Sequence, residues 1–348
     1  MKTKLIILCA FLCFQVSKSQ ELETIILAAD DASLLSENYL KPGMKGLMYS
    51  MNGGWFTTAK THNTFGFDIT INANASFVPD SDQTFAFIPS DYSFLALPNG
   101  ETSLNTLMSE NDAETIIDVR IPNGDGTFNV VSFDMPGGIT KDLPINAVPT
   151  PMVQLGLGLP FKTDIKLRLV PNVDFDDSVS ANLFGLGLQH DLMQYFGTLE
   201  KLPLNISILA AFTNMKVAYN IDDEDATDNV AVNNGEAEFK MNTWTVQGIA
   251  SLDFKIITIY GGIGYNSGKT TAKMKGDYTL TYDVEDSNGV PLGTAQETIN
   301  NPINLDFEAN GMRATIGTRL NLGFFKIFAD YTLQEYHTAS AGIAFSFR

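Results

Sequence analysis

The strongest constraint in this chain is a period of two, repeated in stretches of one length. Trp244, Val246, Gly248, Ala250, Leu252 and Phe254 fall on one parity and Thr245, Gln247, Ser251 and Asp253 on the other, with Ile249 the exception. About eleven alternating residues make a strand long enough to cross a bilayer obliquely. The pattern recurs with Phe65, Phe67, Ile69, Ile71, Ala73, Ala75 and Phe77 set against Asp68, Thr70, Asn72, Asn74 and Ser76. It recurs again at the C-terminus, in Ala314–Asn321, in Phe325–Leu333 and in His337–Phe347. Three successive strands with minimal turns form an up-and-down meander.

A soluble β-sandwich produces the same alternation, so the choice rests on other features. Connections alternate in length. They are short at Pro160–Thr163, Lys255 and Asn321–Phe324, but long and acidic around Asp222–Asp228, Asp283–Asn301 and 79–149. Short turns at one end and long loops at the other are the outer-membrane barrel pattern. Tyr260, Tyr265, Phe324, Phe325, Tyr331, Tyr336, Phe345 and Phe347 gather near strand ends, where amphipathic rings suit the two membrane interfaces. The closing Phe345-Ser346-Phe347 resembles the aromatic terminal signal read by the barrel-assembly machinery, with Arg348 added after it.

The N-terminus supports export. Lys2 and Lys4 precede the apolar run Leu5–Phe14, and Ser17 and Ser19 bracket Lys18. This is a secretory signal, too short to span a membrane, with cleavage expected after Ser19. Leu8 and Leu12 stand where a small residue precedes a lipidated cysteine, which argues against a lipoprotein. Cys9 and Cys13 leave with the signal, so disulfides and thiolate metal sites are excluded. The mature chain carries 19 basic and 40 acidic residues, a net charge of −21, and repels nucleic acid. No stretch beyond residue 20 is apolar enough for a helical span.

The expected fold is therefore all-β, a closed antiparallel transmembrane β-barrel. Ten segments read as strands: 64–78, 150–159, 163–171, 180–189, 203–219, 237–254, 256–275, 304–321, 324–334 and 337–347. Residues 44–57 either add an eleventh or lie inside the barrel, and Phe128–Asp134 is a further candidate. The expectation is 12–14 strands. Two helices are expected. One covers 21–40, stopping at Lys41-Pro42-Gly43, as a luminal plug or a periplasmic segment. The other covers His190–Leu202 at the periplasmic rim. The layout is a signal at 1–19, an N-terminal helical segment at 20–43 and a barrel at 44–348, with 79–149 a long extracellular insertion.

Tyr39-Leu40-Lys41-Pro42-Gly43-Met44-Lys45-Gly46, Gly53-Gly54-Trp55, Gly156-Leu157-Gly158-Leu159-Pro160, Gly185-Leu186-Gly187-Leu188-Gln189-His190-Asp191 and Ala329-Asp330-Tyr331-Thr332-Leu333-Gln334 resemble an uncharacterised family of Bacteroidetes outer-membrane proteins. That family is similar, more distantly, to the long-chain fatty-acid transporter (FadL-type) barrels. The resemblance implies 14 strands, an N-terminal hatch and passage of hydrophobic small molecules. No ligand-binding residue carries over.

Enzymatic activity is not expected. His62, His190 and His337 are the only histidines, and none stands in a hydrolase motif; His190-Asp191 reads as a capping and interface pair. No metal or cofactor is expected either. The acidic run Asp222–Asp228 and the group Asp174, Asp176 and Asp177 lack calcium-loop spacing, and Asn123-Gly124-Asp125-Gly126 reads as a hairpin turn. Candidate lumen residues are Gly156, Gly158, Gly185 and Gly187, which clear space for a plug or ligand or merely curve the strands. Asp164, Lys166, Arg168, Lys326 and Asp330 either line a pore or brace the wall. The partners expected are outer-membrane lipids, the assembly machinery and hydrophobic small molecules. The functional expectation is a passive channel gated by the N-terminal segment; the alternative is a structural or surface-interaction barrel.

Overall fold

The computed structural model describes residues 29–98, 100–122, 128–143, 145–176, 179–197, 203–221, 230–285 and 291–347. The expected signal at 1–19, residues 20–28, the expected hairpin turn Asn123–Gly126 and the acidic run Asp222–Asp228 lie outside them. Among the described residues one α-helix, α1 (Ala29–Met51), precedes sixteen strands: β1 (Phe67–Ser76), β2 (Thr84–Ala86), β3 (Leu95–Ala96), β4 (Ser103–Asn105), β5 (Thr115–Pro122), β6 (Phe128–Met135), β7 (Val148–Leu159), β8 (Thr163–Asp176), β9 (Val179–Asp191), β10 (Leu204–Ile221), β11 (Val230–Asp253), β12 (Ile257–Glu285), β13 (Pro291–Asn300), β14 (Ile303–Leu322), β15 (Phe325–Leu333) and β16 (Thr338–Phe347).

Ten of these strands close a ring in the order β1-β7-β8-β9-β10-β11-β12-β14-β15-β16, and β16 returns to pair with β1. Every pairing is antiparallel, and apart from the closing pair the ring follows chain order, with β2–β6 and β13 left out of it. These are the ten strands read from alternation. The expected 12–14 is corrected to ten, because β6 pairs with β5 in a small sheet within the 77–147 insertion. The turns at 160–162, 254–256 and 323–324 share one end with the chain's last strand residues, and the insertion leaves from the other. β13 prolongs a hairpin with β12 beyond that long-loop end.

The outward parity is a belt of large apolar side chains. Ile263, Ile316 and Met312 are 69%, 66% and 70% exposed, and Val153, Leu188 and Leu333 stand about half exposed beside them. At about 2 kcal/mol for each such side chain left in water, these six alone approach the whole stability of an ordinary domain, about 5–15 kcal/mol. In hydrocarbon the same belt is the favourable surface.

The inward parity packs around the chain's own N-terminal segment. α1 runs through Lys41-Pro42-Gly43 rather than stopping there. Proline removes one helical hydrogen bond, but Leu35, Tyr39, Leu40, Met44, Met48 and Tyr49 are all buried in one cluster with barrel and insertion residues, and packing outweighs the local break. Residues 52–64 then descend inside the barrel to the short-turn end, so 44–57 is luminal and adds no wall strand. The expected helix at His190–Leu202 is corrected. β9 continues to Asp191, the Leu192 N–H bonds Ile206 O, and only Met193–Tyr195 makes one 3₁₀ turn, started by Asp191 Oδ1 accepting from Met193 N; 198–202 lie outside the described residues.

The wall carries one seam. β7 pairs with β1 along Val148–Leu157, yet with β8 only along Gln154–Leu159 against Thr163–Arg168. Continued at the same register, Pro151 falls opposite Pro171. Proline has no N–H to give a ladder and is tolerated in strands where its nitrogen faces no partner. Because β7 stays zipped to β1 past Pro149 and Pro151, those nitrogens face β8, and the two strands part there.

Candidate functional site

The site is the junction between the luminal segment and the lower wall. α1 delivers Met51, Asn52 and Gly53 to mid-barrel with helix-end carbonyls lacking intrahelical partners. Two arginines from the wall meet them. Arg168 donates from Nη1 to Met51 O at 2.9 Å, from Nη2 to Gly53 O at 2.7 Å and from Nε to Gln154 Oε1 at 3.1 Å. Arg313 donates from Nη1 to Asn52 O at 2.7 Å and to Asn266 Oδ1 at 3.0 Å. Cations at a helix C-terminus are favourable, and the planar forked guanidinium suits two acceptors at once. The Arg168 guanidinium also lies 3.7 Å from the centroid of the Trp55 ring, a desolvated cation–π contact.

Trp55 occupies the space left by two glycines. A Cβ on Gly187 would stand 3.0 Å from the indole, and one on Gly185 3.2 Å from it. The Trp55 carbonyl accepts from Lys166 Nζ at 2.7 Å. Lower down, Thr58 Oγ1 donates to Asp253 and Ser251 Oγ donates to Asp253 Oδ2 at 2.7 Å, while Gln189 Nε2 donates to Thr58 O at 3.1 Å.

His62 is clamped between two wall carboxylates. Its backbone N–H donates to Asp164 Oδ1 at 2.9 Å, its Nδ1 lies 2.9 Å from Asp164 Oδ2, and its Nε2 lies 3.3 Å from Asp68 Oδ2. Burial opposes protonation of this ring, but the hydrogen bonds and charges of Asp164 and Asp68 outweigh it and raise its pKa above the ordinary 6.5. Gly156 makes room for the Asp68 side chain, and Gly158, against Asn63 O and His62 Cβ, makes room for the descending chain.

Of the sequence candidates, Asp164, Lys166, Arg168, Gly156, Gly158, Gly185 and Gly187 converge on this segment. Asp330 sits inward on the opposite wall, accepting from Tyr260 OH at 2.9 Å. Lys326, on the same parity of its strand as Asp330, stands at the short-turn end, where its ammonium bonds Gly323 O. Tyr260 and Tyr336, expected at membrane interfaces, are instead buried inside. His190 pairs with Thr163 Oγ1 at 2.8 Å and Tyr195 OH at 3.1 Å, while Asp191 caps the turn that follows through Met193 N. The pattern did not single out Trp55, His62, Arg313 or Arg319, although both arginines share inward parity with Thr315.

At the long-loop end the insertion ties down the helix. Asp31 accepts the N–H groups of Ser93, Phe94 and Leu95 at 3.0, 2.6 and 3.1 Å, Leu107 N donates to Tyr39 O, and Tyr39 OH donates to Gly137 O. Lys45 and Tyr49 bind Glu335, and Tyr336 OH binds Asp82. Among the described residues, no group of three or more His, Cys, Asp and Glu side chains could hold a metal ion.

Fold and site together define a membrane-type β-barrel whose lumen is filled by its own N-terminal segment. The chain belongs to a family of unknown function (DUF6588), whose profile matches residues 1–347. No curated protein matches it in sequence. Among solved structures it is similar to the outer membrane protease OmpT of Escherichia coli (7% identity, 82% of this chain and 99% of that one, TM-score 0.33). It is also similar to the translocator domain of the autotransporter NalP of Neisseria meningitidis (10%, 93% and 99%, TM-score 0.28) and to a FadL homologue of Pseudomonas aeruginosa (10%, 91% and 94%, TM-score 0.19). At these identities and TM-scores the likenesses carry no argument about activity.

Proposed function

We propose that the protein is an outer-membrane channel for hydrophobic or small solutes, passive, closed by the segment 29–64 and opened by movement of that segment against the wall. The observation that carries this reading is the seam. At Pro151 and Pro171 the wall lacks a ladder, and inward-facing Met152 beside it belongs to the same apolar cluster as Met44, Met48 and Met51. An apolar solute would find an apolar upper lumen and an adjoining break in the wall; Trp55 Nε1 and the hydroxyls of Thr213, Thr243 and Thr270, buried without a protein partner along the lumen, are positions that water could serve. The short-turn end would face the periplasm.

One observation favours a structural barrel instead: the buried bonds from Arg168 and Arg313 onto the segment's main chain, which would serve permanent closure equally well. The absence of cysteine from the mature chain gives a direct test. Ser50 Oγ and Thr150 Oγ1 are 2.7 Å apart, so Ser50→Cys with Thr150→Cys staples the helix to β7 beside the seam. Uptake of a long-chain fatty acid and of graded sugars into liposomes is expected to stop on oxidation and return on reduction. No uptake in either state, with folding shown by heat-modifiable gel mobility, would overturn the channel reading.

A further inference from the structure

At the long-loop end, three successive main-chain N–H groups of the insertion converge on one side chain. Asp31 Oδ1 accepts from Ser93 N at 3.0 Å, and Asp31 Oδ2 accepts from Phe94 N at 2.6 Å and from Leu95 N at 3.1 Å. Consecutive N–H groups aimed at one point form a nest, a main-chain concavity that binds anions and captures free carboxylates. Asp31 lies in the first turn of α1, where a carboxylate ordinarily serves its own helix end. Here it is given to a loop 62 to 64 residues away.

The insertion holds this nest in shape through bonds that do not involve Asp31. Leu95 and Ala96 pair with Val119 and Asp118 on β5, Phe94 O accepts from Arg120 N at 2.8 Å, and a turn closed from Asp91 N to Ile88 O leads into it. Without the carboxylate, three donors fixed by other parts of the insertion would stand together with no acceptor, at a cost that an incoming anion removes. All three donors are neutral main-chain groups, so the site selects by hydrogen-bond geometry and needs no surplus of positive charge.

The surroundings decide what carries the carboxylate. Ser93 is exposed, whereas Tyr92 and Leu95 are buried in the apolar cluster that also holds Leu35, Met44, Met48 and Met152, and the Tyr92 ring stacks on Phe87 at 4.5 Å. The nest thus joins the outer surface to the apolar upper lumen. We infer that the main chain of Ser93–Leu95 is a binding site for a small carboxylate on an apolar body, and that Asp31 fills it as a built-in surrogate until such a solute takes its place. The exchange replaces the bonds of the nest one for one, while α1 loses the tie at its first turn. A tethered carboxylate competes at an effective concentration in the millimolar range, so the apolar body supplies the advantage that acetate lacks. The purpose of the exchange rests on the channel reading, in which α1 moves; occupancy of the nest does not depend on flux.

The test is hydrogen–deuterium exchange of the whole mature chain in neutral micelles, with phenylacetate, its neutral analogue phenylacetamide, or acetate added. In the wild type, phenylacetate is expected to speed exchange in the first turns of α1 while the N–H groups of Ser93, Phe94 and Leu95 stay protected; acetate should act far more weakly and phenylacetamide not at all. In Asp31→Ala those three N–H groups should exchange faster while Arg120 N keeps its protection. Phenylacetate should then restore them at a concentration at least about tenfold below that needed in the wild type, because a site filled by its surrogate is free only part of the time. Loss of protection at Arg120 N together with 93–95 would show that Asp31 holds the loop itself and would overturn the assignment. So would equal action of the amide, no restoration in Asp31→Ala, or restoration there with no release of α1 in the wild type. None of these readings uses uptake, so their failure leaves the disulfide test of the channel standing, and a barrel that passes nothing leaves them unchanged.

Discussion

Replacing Arg168 with methionine tests whether the buried guanidinium holds the plug or braces the wall. The side chain is fully buried, and its contacts are of two kinds. Two charge-assisted bonds reach the main chain of the luminal segment, at Met51 O and Gly53 O, and one reaches Gln154 on the neighbouring strand. At about 1.5–3 kcal/mol for each charged bond, with about 1–2 kcal/mol for a desolvated cation over an indole, the gross hold on the segment is about 4–8 kcal/mol. Burial of the guanidinium offsets part of this, and deletion of one member of a buried polar set costs about 3–5 kcal/mol net. Concentrated on the plug, that loss raises the population of its released state about 10²–10⁴-fold.

Hydrogen–deuterium exchange in micelles reads this directly. The N–H groups of Gly53, Ala59 and His62, bonded to Ser50 O, Ser251 Oγ and Asp164 Oδ1, should exchange faster in Arg168→Met, while ladder amides of β10–β12 keep their protection and heat-modifiable mobility persists. Arg168→Lys should fall between, since a single ammonium cannot reproduce the fork. Unchanged exchange at 53–62 would refute the clamp. Equal acceleration throughout the barrel would show that Arg168 supports the wall and only touches the plug.

Gly187→Val places branched carbon where a Cβ alone already comes within 3.0 Å of Trp55; at an overpacking cost of about 1–3 kcal/mol the indole should leave its seat, and in a Trp244→Phe background its fluorescence should shift to the red. A shift no larger than that of Gly248→Val, on the outer face, would count against the seat. The His62 pKa is raised, so its contribution to anchoring is complete below its unfolded value of about 6.5 and is lost as pH rises through the folded value. Thiol labelling of Lys60→Cys should therefore quicken toward alkaline pH beyond the reagent's own dependence, and His62→Asn should flatten that excess. Pro151→Val with Pro171→Val supplies the two missing donors across the seam; amides at 151 and 171 should become protected and fatty-acid uptake should fall, and protection without loss of uptake would remove the seam from the route.

The barrel was legible because a period of two survives any tertiary context: one parity faces lipid, the other the lumen, and a slip exposes every side chain to the wrong phase. The glycines at 185 and 187 and the polar run Asp164, Lys166, Arg168 were readable on the same ground. For Tyr260, the outward parity of Ile259 and Ile263 pointed to the correct face, but aromatic type was given more weight. The plug was legible only as one of two places for the N-terminal segment, and the course of its helix was not legible at all. The helix continues through Pro42 because wall and insertion residues far away in sequence bury its apolar face, and local signals at Lys41-Pro42-Gly43 carry no trace of them. Trp55, His62 and Arg313 likewise acquire their roles only when residues about a hundred or more positions apart meet.

The two halves of the plug are held by different physics, and this limits how it can move. Below Met51 the contacts are directional: Arg168, Lys166, Asp164 and Gln189 each bind a particular main-chain group of residues 51–62. A shift of one ångström breaks such bonds together. Above Met51 the contacts are largely apolar and rich in methionine, through Met44, Met48, Met135, Met152 and Met241, and methionine repacks at low cost. Polar ties there, at Asp31 and at Lys45 with Glu335, sit near the long-loop rim. A displacement that opens the upper lumen toward the seam therefore needs only the rim ties to yield and the methionine contacts to slide, whereas ejection of the whole segment would also break the lower set. The lower clamp is then the pivot and the helix the moving part, which is why the disulfide that tests the channel joins the helix to β7 and leaves the arginines alone.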